Sequence, residues 1–340
     1  MNFKNTNFFE YVDCFGKTST IKSILIRESI CINPQITISI PTYKRSDSLK
    51  EALNSALNQN VDFEYEIMIV DNNQERNDDT EKVIQKYASN KISYYKNNEN
   101  IGQIGNWNRL FILCKSEYLV MLHDDDVLSP YFLRDTMKII KSDIDIALLG
   151  VGKFEWNSDK TDKPIFRDSA KRKALLRFTS RSNYAFFMFG APSGSIFKKE
   201  IVLKLGGFNE DFYPSSDYCL IMQMIEKYNV YFYEKKLLLY RISGNITSLI
   251  STQKKWIESD YWFRKYLGKR FKYSDNYIKF CTLMWSCLYF TAVKKIDNGF
   301  NYNIDGHKLY RLNKLEILFF KIFHMCYYFY WNNRLIIKKI

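Results

Sequence analysis

Three apolar runs in the chain stop at residues whose types and spacing suit chemistry. They are ISIPTYKR (residues 38–45), EIMIVDNN (residues 66–73) and YLVMLHDDDVLSP (residues 118–130). Taken singly, each has an ordinary reading: Thr42 belongs to a turn, Asp71 is a turn-forming aspartate, and the Asp run is a solvated loop. The third run differs in kind. Packing Asp124, Asp125 and Asp126 into one turn sets like charges against each other unless a cation or strong donors offset them. Oxygen ligands without a His or Cys cluster suit a hard cation, Mg²⁺ or Mn²⁺, held by one or two carboxylates together with substrate phosphates.

The elements that position these residues are read from periodicity. Ile36, Ile38 and Ile40 alternate with Thr37 and Ser39 in a strand that Pro41 ends. Ser46 then caps a helix carrying Leu49, Ala52, Leu53, Ala56 and Leu57 on one face. The unit repeats with strands at 66–70, 92–95 and 118–122 and helices near 79–87 and 105–114. Strands alternating with helices of this length imply crossovers and a largely parallel sheet, and ligands bind beyond the carboxyl ends of such strands. Further on, a strand at 146–151, a polar stretch at 157–172, helices at 199–205 and 215–228, and strands at 230–233 and 237–240 are expected. Residues 1–34 read as an N-terminal extension with a weak helical stretch at 18–28. Near residue 250 the texture changes to long aromatic and basic segments without proline, so the chain divides into 1–34, 35–250 and 251–340. No internal repeat is visible.

With 340 residues, 46% hydrophobic and 17% aromatic, the chain has ample apolar surface for a folded core, which excludes disordered and low-complexity classes. Seven scattered Cys without a C-x-x-C pair read as reduced thiols of a cytosolic protein. Neither a signal-peptide core nor an apolar run of about 18 residues is present. The net charge of +13 is uneven: residues 253–340 hold 17 Lys+Arg against 6 Asp+Glu and 23 of the 57 aromatic residues.

Taken together, strand-PTYKR, strand-VDNN, NNENIGQIGNWN (residues 97–108) and LHDDD resemble the nucleotide-binding half of family 2 glycosyltransferases of the GT-A fold. GAPSGSIFKKEIVLKLGGFNEDFYPSSDYCL (residues 190–220) is similar to that family's acceptor half. The resemblance covers about residues 36–248. It implies an α/β fold, Rossmann-like with a mostly parallel central sheet, followed by a helical C-terminal extension. It also implies an inverting, metal-dependent transfer of a sugar from a nucleotide-sugar donor, usually UDP-linked, to a glycan or lipid-linked acceptor in bacterial surface polysaccharide synthesis.

Carried over position by position, Pro41, Thr42 and Tyr43 line the base pocket, Asp71 accepts a hydrogen bond from the base, and Gly102 to Asn106 close over the nucleoside. Asp125 matches the metal-ligand position, Asp124 a residue facing the ribose, and Asp126 assists the metal or orients the loop. The first position of the family's D-x-D signature falls on His123, which reads as a core or turn histidine rather than a ligand. Asp217 matches the base that deprotonates the acceptor, with Glu210 and Asp211 as weaker candidates. Read alone, Asp217 is equally an acidic residue in the first turn of a helix. Gly206 and Gly207 read as a tight helix stop. Many relatives carry a His where Ser243 stands, and Arg241 and Ser248 either contact the diphosphate or shape the loop.

The basic, aromatic C-terminal quarter has two readings. One is an interfacial segment on an anionic membrane, peripheral at the inner face of the cell membrane; the other is a helical cap packed on the catalytic part. Either way it bears on location rather than chemistry. Nucleic-acid binding through the same region ranks below both, so no nucleic-acid partner is expected. A silent relative that binds a nucleotide sugar or a protein partner is the rival to the enzyme.

Overall fold

The structure, a computed structural model, describes residues 3–142, 145–168, 173–189, 192–242 and 249–339. The first half runs β1 (Ser23–Arg27), β2 (Thr37–Thr42), α1 (Ser46–Leu57), β3 (Glu66–Asp71), α2 (Asp79–Gln85), β4 (Ile92–Asn97), α3 (Gly102–Leu113) and β5 (Tyr118–Met121). It continues with β6 (Val127–Leu128), α4 (Phe132–Ile140), β7 (Leu148–Trp156), β8 (Ala174–Arg177), α5 (Ser180–Tyr184), β9 (Ser195–Lys198), α6 (Lys199–Lys204), α7 (Ser216–Lys227) and β10 (Val230–Arg241). The last quarter holds α8 (Ile250–Arg270), α9 (Asp275–Lys294), the hairpin β11 (Asn303–Ile304) and β12 (His307–Lys308), α10 (Lys314–Leu335) and β13 (Ile336–Lys339).

One mixed sheet organises the molecule, in the order β1-β4-β3-β2-β5-β9-β7-β10-β8-β13, with β6 beside β10. Its centre, β4-β3-β2-β5, is parallel, as the alternation of strands and helices implies. Every residue of β2 and β3 is buried, because helices cover both faces. The two-residue period of β3 separates the cores: Ile67 and Ile69 join one cluster with Leu53 and Tyr94, while Met68 and Val70 join the other with Leu110 and Phe111. β9 enters antiparallel between β5 and β7, carrying the chain into the second half of the site.

Three local expectations are corrected. Residues 18–28 do not form a helix; SILIR is β1, antiparallel to β4, because its β-branched residues complete an edge that would otherwise be open. Pro41 does not end β2, which continues to Thr42, whose carbonyl accepts from the Asn72 N–H at 2.9 Å. The two strands expected at 230–233 and 237–240 are one, β10. Its register slips between Tyr233 and Leu238, where buried Lys235 reaches Asp135 at 2.6 Å.

The N-terminal segment around Phe8 and the helix α8 are both built into this body. Phe8 packs on Phe212 and Phe263, each with ring centroids 5.0 Å apart. α8 lies on α7 through Phe263 against Tyr218, at 5.0 Å, and through Ser215 and Ser259, at 2.9 Å. Arg264, buried on α8, donates to Asp260 at 2.7 Å and to the Ala185 carbonyl at 3.1 Å, and lies over the Trp285 ring. Among the described residues, no helix is long and apolar enough to cross a membrane.

Candidate active site

A cleft of about 470 Å³ opens beyond the carboxyl ends of β2, β3 and β5. One wall holds Pro41, Thr42, Tyr43, Asn72, Gly102 and Asn106; the floor holds His123, Asp124 and Asp125; Tyr213, Asp217, Thr252 and Trp256 face them. Of the residues singled out in the sequence, Pro41, Thr42, Tyr43, Gly102, Asn106, Asp124, Asp125 and Asp217 are thus brought to one cavity. Asp126 sits directly beneath the floor, 1% exposed. Ser243, Ser248 and Gly190 lie outside the described residues.

The nucleoside wall is held by amides. Asn72 accepts from the Ile101 N–H and from Asn97, each at 3.0 Å, and donates to Asn100 at 2.6 Å. Asn106 accepts from Asn97 at 2.9 Å and donates to the Val70 carbonyl at 3.1 Å. Gly102 turns the chain into α3 with φ +75°, a conformation that favours glycine. Asp71 departs from expectation. It is fully buried, accepts from Tyr94 and Lys96 at 2.8 Å each and from the Asn73 N–H at 3.0 Å, and is not part of the cleft wall. Lys96 is its register partner across β3 and β4, so the ion pair follows from strand alignment. Burial raises the Asp71 pKa and Lys96 opposes the rise.

The carboxylate loop shows what offsets its crowding. Arg45, at the entry to α1, donates to Asp124 at 3.0 Å and to Asp125 at 2.8 Å, and Thr42 donates to Asp124 at 2.8 Å. Asp126 accepts from the Arg241 N–H at 2.9 Å. Arg241 therefore shapes the loop: its guanidinium donates to the Asp125 carbonyl at 3.0 Å and to Glu51 at 3.0 Å and lies over Trp156. Burial pushes Asp124 up to about 6, against the pull of Arg45. Burial and then the charge of Asp125 push Asp126 up to about 7.

His123 stacks on Trp107, with centroids 5.2 Å apart, as a core histidine would. Its Nδ1 also stands 4.0 Å from Asp126 Oδ2, so the core-or-turn reading is incomplete. Ligand atoms of His123, Asp125 and Asp126 lie within 4.8 Å of one another, and His123 Nε2 and Asp126 Oδ2 are buried without a hydrogen-bond partner among the described residues. Orphaned polar atoms at that spacing fit a divalent cation.

Asp217 stands in the first turn of α7. Burial pushes it up to about 6, and its Oδ1 accepts from the Tyr218 N–H at 2.7 Å. Glu210 and Asp211 do not line the cleft; both pair with Lys17 of the N-terminal segment, at 3.4 and 3.0 Å. Gly206 and Gly207 end α6 with φ near +85°. A Cβ on Gly206 would lie 2.1 Å from the Val12 carbonyl, so this stop also seats the N-terminal segment.

Arg45, Asn72, Tyr213, Thr252 and Trp256 line the cleft and were not assigned a role from the sequence. Arg45 lay unmarked at the end of PTYKR, and nothing in its spacing points to Asp124. Thr252 and Trp256 come from α8, beyond the boundary near residue 250. They bring the start of α8 to the cleft, although read from sequence the C-terminal region bears on location alone.

The sequence of residues 37–206 matches the family model "Glycosyl transferase family 2". The chain is 27% identical over 267 residues to an uncharacterised glycosyltransferase of Methanocaldococcus jannaschii, covering 76% of this chain and 87% of that one. It is 27% identical over 213 residues to the GalNAc(5)-diNAcBac-PP-undecaprenol beta-1,3-glucosyltransferase of Campylobacter jejuni, covering 62% of this chain and 65% of that one. Among solved structures, S. aureus TarS 1–349 in complex with UDP-GlcNAc superposes with a TM-score of 0.52 at 13% identity, over 82% of this chain and 97% of that one. The likeness to TarS supports the GT-A fold, and the match over half the chain settles the grouping: this protein belongs to glycosyl transferase family 2.

Proposed function

We propose that the protein is an inverting transferase that moves a sugar from a UDP-linked donor to a hydroxyl of a glycan or lipid-linked acceptor in surface polysaccharide synthesis. What supports this reading is that Asp217 lines the same cleft as Asp124 and Asp125. A carboxylate raised to about 6 by burial is a stronger base than an ordinary aspartate and is still ionised at neutral pH, which suits deprotonation of an attacking hydroxyl. The Campylobacter relative, named for a polyprenyl-linked acceptor, supports the acceptor class, and the TarS complex supports the donor class.

In this reading Pro41, Thr42, Tyr43, Asn72, Gly102 and Asn106 receive the nucleoside, with Tyr43 offering its half-exposed ring to the base. Asp71 acts from beneath, fixing Asn73 by accepting from its N–H rather than meeting the base. Thr42 and Arg45 orient Asp124 toward the ribose. His123, Asp125 and Asp126 hold a divalent cation. Bound there, it supplies Lewis-acid stabilisation of the charge that develops on the leaving diphosphate. Asp217 takes the acceptor proton, and Tyr213, Thr252 and Trp256 position the acceptor and narrow the access of water. The chemistry is assigned to residues 35–250, flanked by 1–34 and 251–340, with the start of α8 extending the acceptor wall. The protein works peripherally at the inner membrane face, where a lipid-linked acceptor is presented.

The test is a donor panel. Purified protein given UDP-, GDP- and TDP-sugars with Mn²⁺ and a set of lipid-linked acceptors is expected to release nucleoside diphosphate from a UDP-sugar. Donor binding without release across that set would leave a nucleotide-sugar binding protein instead.

A further inference from the structure

α10 has two apolar faces, of which the body covers one. Phe320, Phe323 and Tyr327 pack on Phe186 at 5.4–5.6 Å, and Leu335 is buried. The other face leaves Leu315, Leu318, Phe319, Ile322, Met325 and Phe329 between 46 and 77% exposed. Their spacing keeps them in one stripe along about four turns of helix, wider than the two-position seam of a coiled coil because Phe319 and Tyr330 broaden it. A soluble surface rarely leaves such a stripe open.

Charge indicates what covers it. Lys308, Arg311, Lys314, Lys321 and Arg334 flank the stripe in sequence, and no acidic partner holds them among the described residues. The acid of α10, Glu316, is engaged at the helix N-terminus, where its carboxylate accepts from the Asn313 N–H at 2.8 Å. A second copy would bring this surplus of like charge against itself, whereas an anionic surface neutralises it. Beside the stripe a cavity of about 600 Å³ lies between α9, the β11–β12 hairpin and α10. Leu283, Met284 and the exposed Phe280 and Phe319 give it an apolar lining, with Lys279 and Lys308 on its wall beside Glu316, whose carboxylate is engaged by the Asn313 N–H. That combination suits the chain and phosphate of an anionic phospholipid.

We infer that the outer face of α10 lies in the plane of an anionic bilayer, its apolar stripe among the acyl chains and its lysines and arginines at the phosphates. The inference deepens the reading of a lipid-linked acceptor by naming the surface that brings the cleft to the membrane. Flotation of the full chain with phosphatidylcholine vesicles, with and without phosphatidylglycerol, tests it in the absence of donor and acceptor, so its failure leaves sugar transfer standing. Wild type is expected to float with the anionic vesicles and to leave them as salt rises. The double variant Leu318→Glu/Ile322→Glu is expected to lose at least about tenfold in partitioning while keeping its melting temperature, since both side chains are exposed. Wild type staying in solution with both vesicle types overturns the inference. So does a variant that floats as well as wild type, or a wild-type dimer that the variant converts to a monomer while neither binds vesicles.

Discussion

The carboxylate loop makes a prediction about stability before any turnover is measured. Asp126 is 1% exposed, one of its oxygens has no hydrogen-bond partner among the described residues, and burial pushes its pKa up to about 7 from an ordinary 3.8. A carboxyl whose pKa is raised by folding favours the folded state when protonated. Its cost is absent below pH 3.8, grows as pH rises toward 7 and stays complete above that. The shift of about three units corresponds to at most about 4 kcal/mol above pH 7, and the part accruing between pH 5 and pH 8 is about 2–3 kcal/mol. Asp126→Asn removes the charge and keeps the shape. In cation-free buffer it is expected to stabilise the protein at pH 8 and to do so much less at pH 5, read by urea unfolding monitored through tryptophan fluorescence. Adding Mn²⁺ should reverse the order, because the wild type then gains binding energy that the amide forgoes. An asparagine variant less stable than wild type by the same amount at both pH values would refute the claim that burial of the Asp126 charge dominates here. Equal stabilisation of both proteins by Mn²⁺ would refute the claim that Asp126 helps to hold the cation.

Three further outcomes follow from neighbouring contacts. Arg45→Met leaves Asp124 and Asp125 without their guanidinium, so cation-free stability at pH 8 should fall by about 1–3 kcal/mol and recover on adding Mn²⁺, checked by calorimetry. Trp256→Ala removes an aromatic wall opposite the carboxylates, so the acceptor KM should rise about two- to tenfold while the donor KM holds, checked by initial rates. Gly206→Ala would set a Cβ against the Val12 carbonyl at φ +86°; a loss of at least about 2 kcal/mol and faster proteolysis near residue 12 are expected.

What the sequence revealed depended on periodicity. β2, α1, β3 and α3 were legible because their apolar residues repeat at two or 3.6 positions, and the parallel centre of the sheet followed from their alternation. β1 was misread because SILIR, followed by acidic Glu28, suits a short helix face as well as a strand, and the unsatisfied edge of β4 decides between them. The Glu234-Lys235-Lys236 run split β10 on paper because a buried Lys can sit in a strand only with a partner, and Asp135 is 100 residues away. The same limit governs the site. Asp124, Asp125 and Asp217 were visible as acids after strands or at a helix start. The burial of Asp71 depended on the alignment of β3 with β4, and the roles of Arg45 and Trp256 depended on which elements approach the cleft.

The most direct test is the rate of nucleoside diphosphate release by wild type and Asp217→Asn, with a working donor and acceptor, across pH 5 to 8. Wild type should show an acid limb near pH 6, where the half-buried Asp217 carboxylate takes up its proton. The variant should lose about 10²–10⁴-fold in kcat at pH 7 with donor affinity unchanged. Full activity in the variant, or a wild-type rate that stays flat down to pH 5, would contradict the assignment of Asp217 as the base.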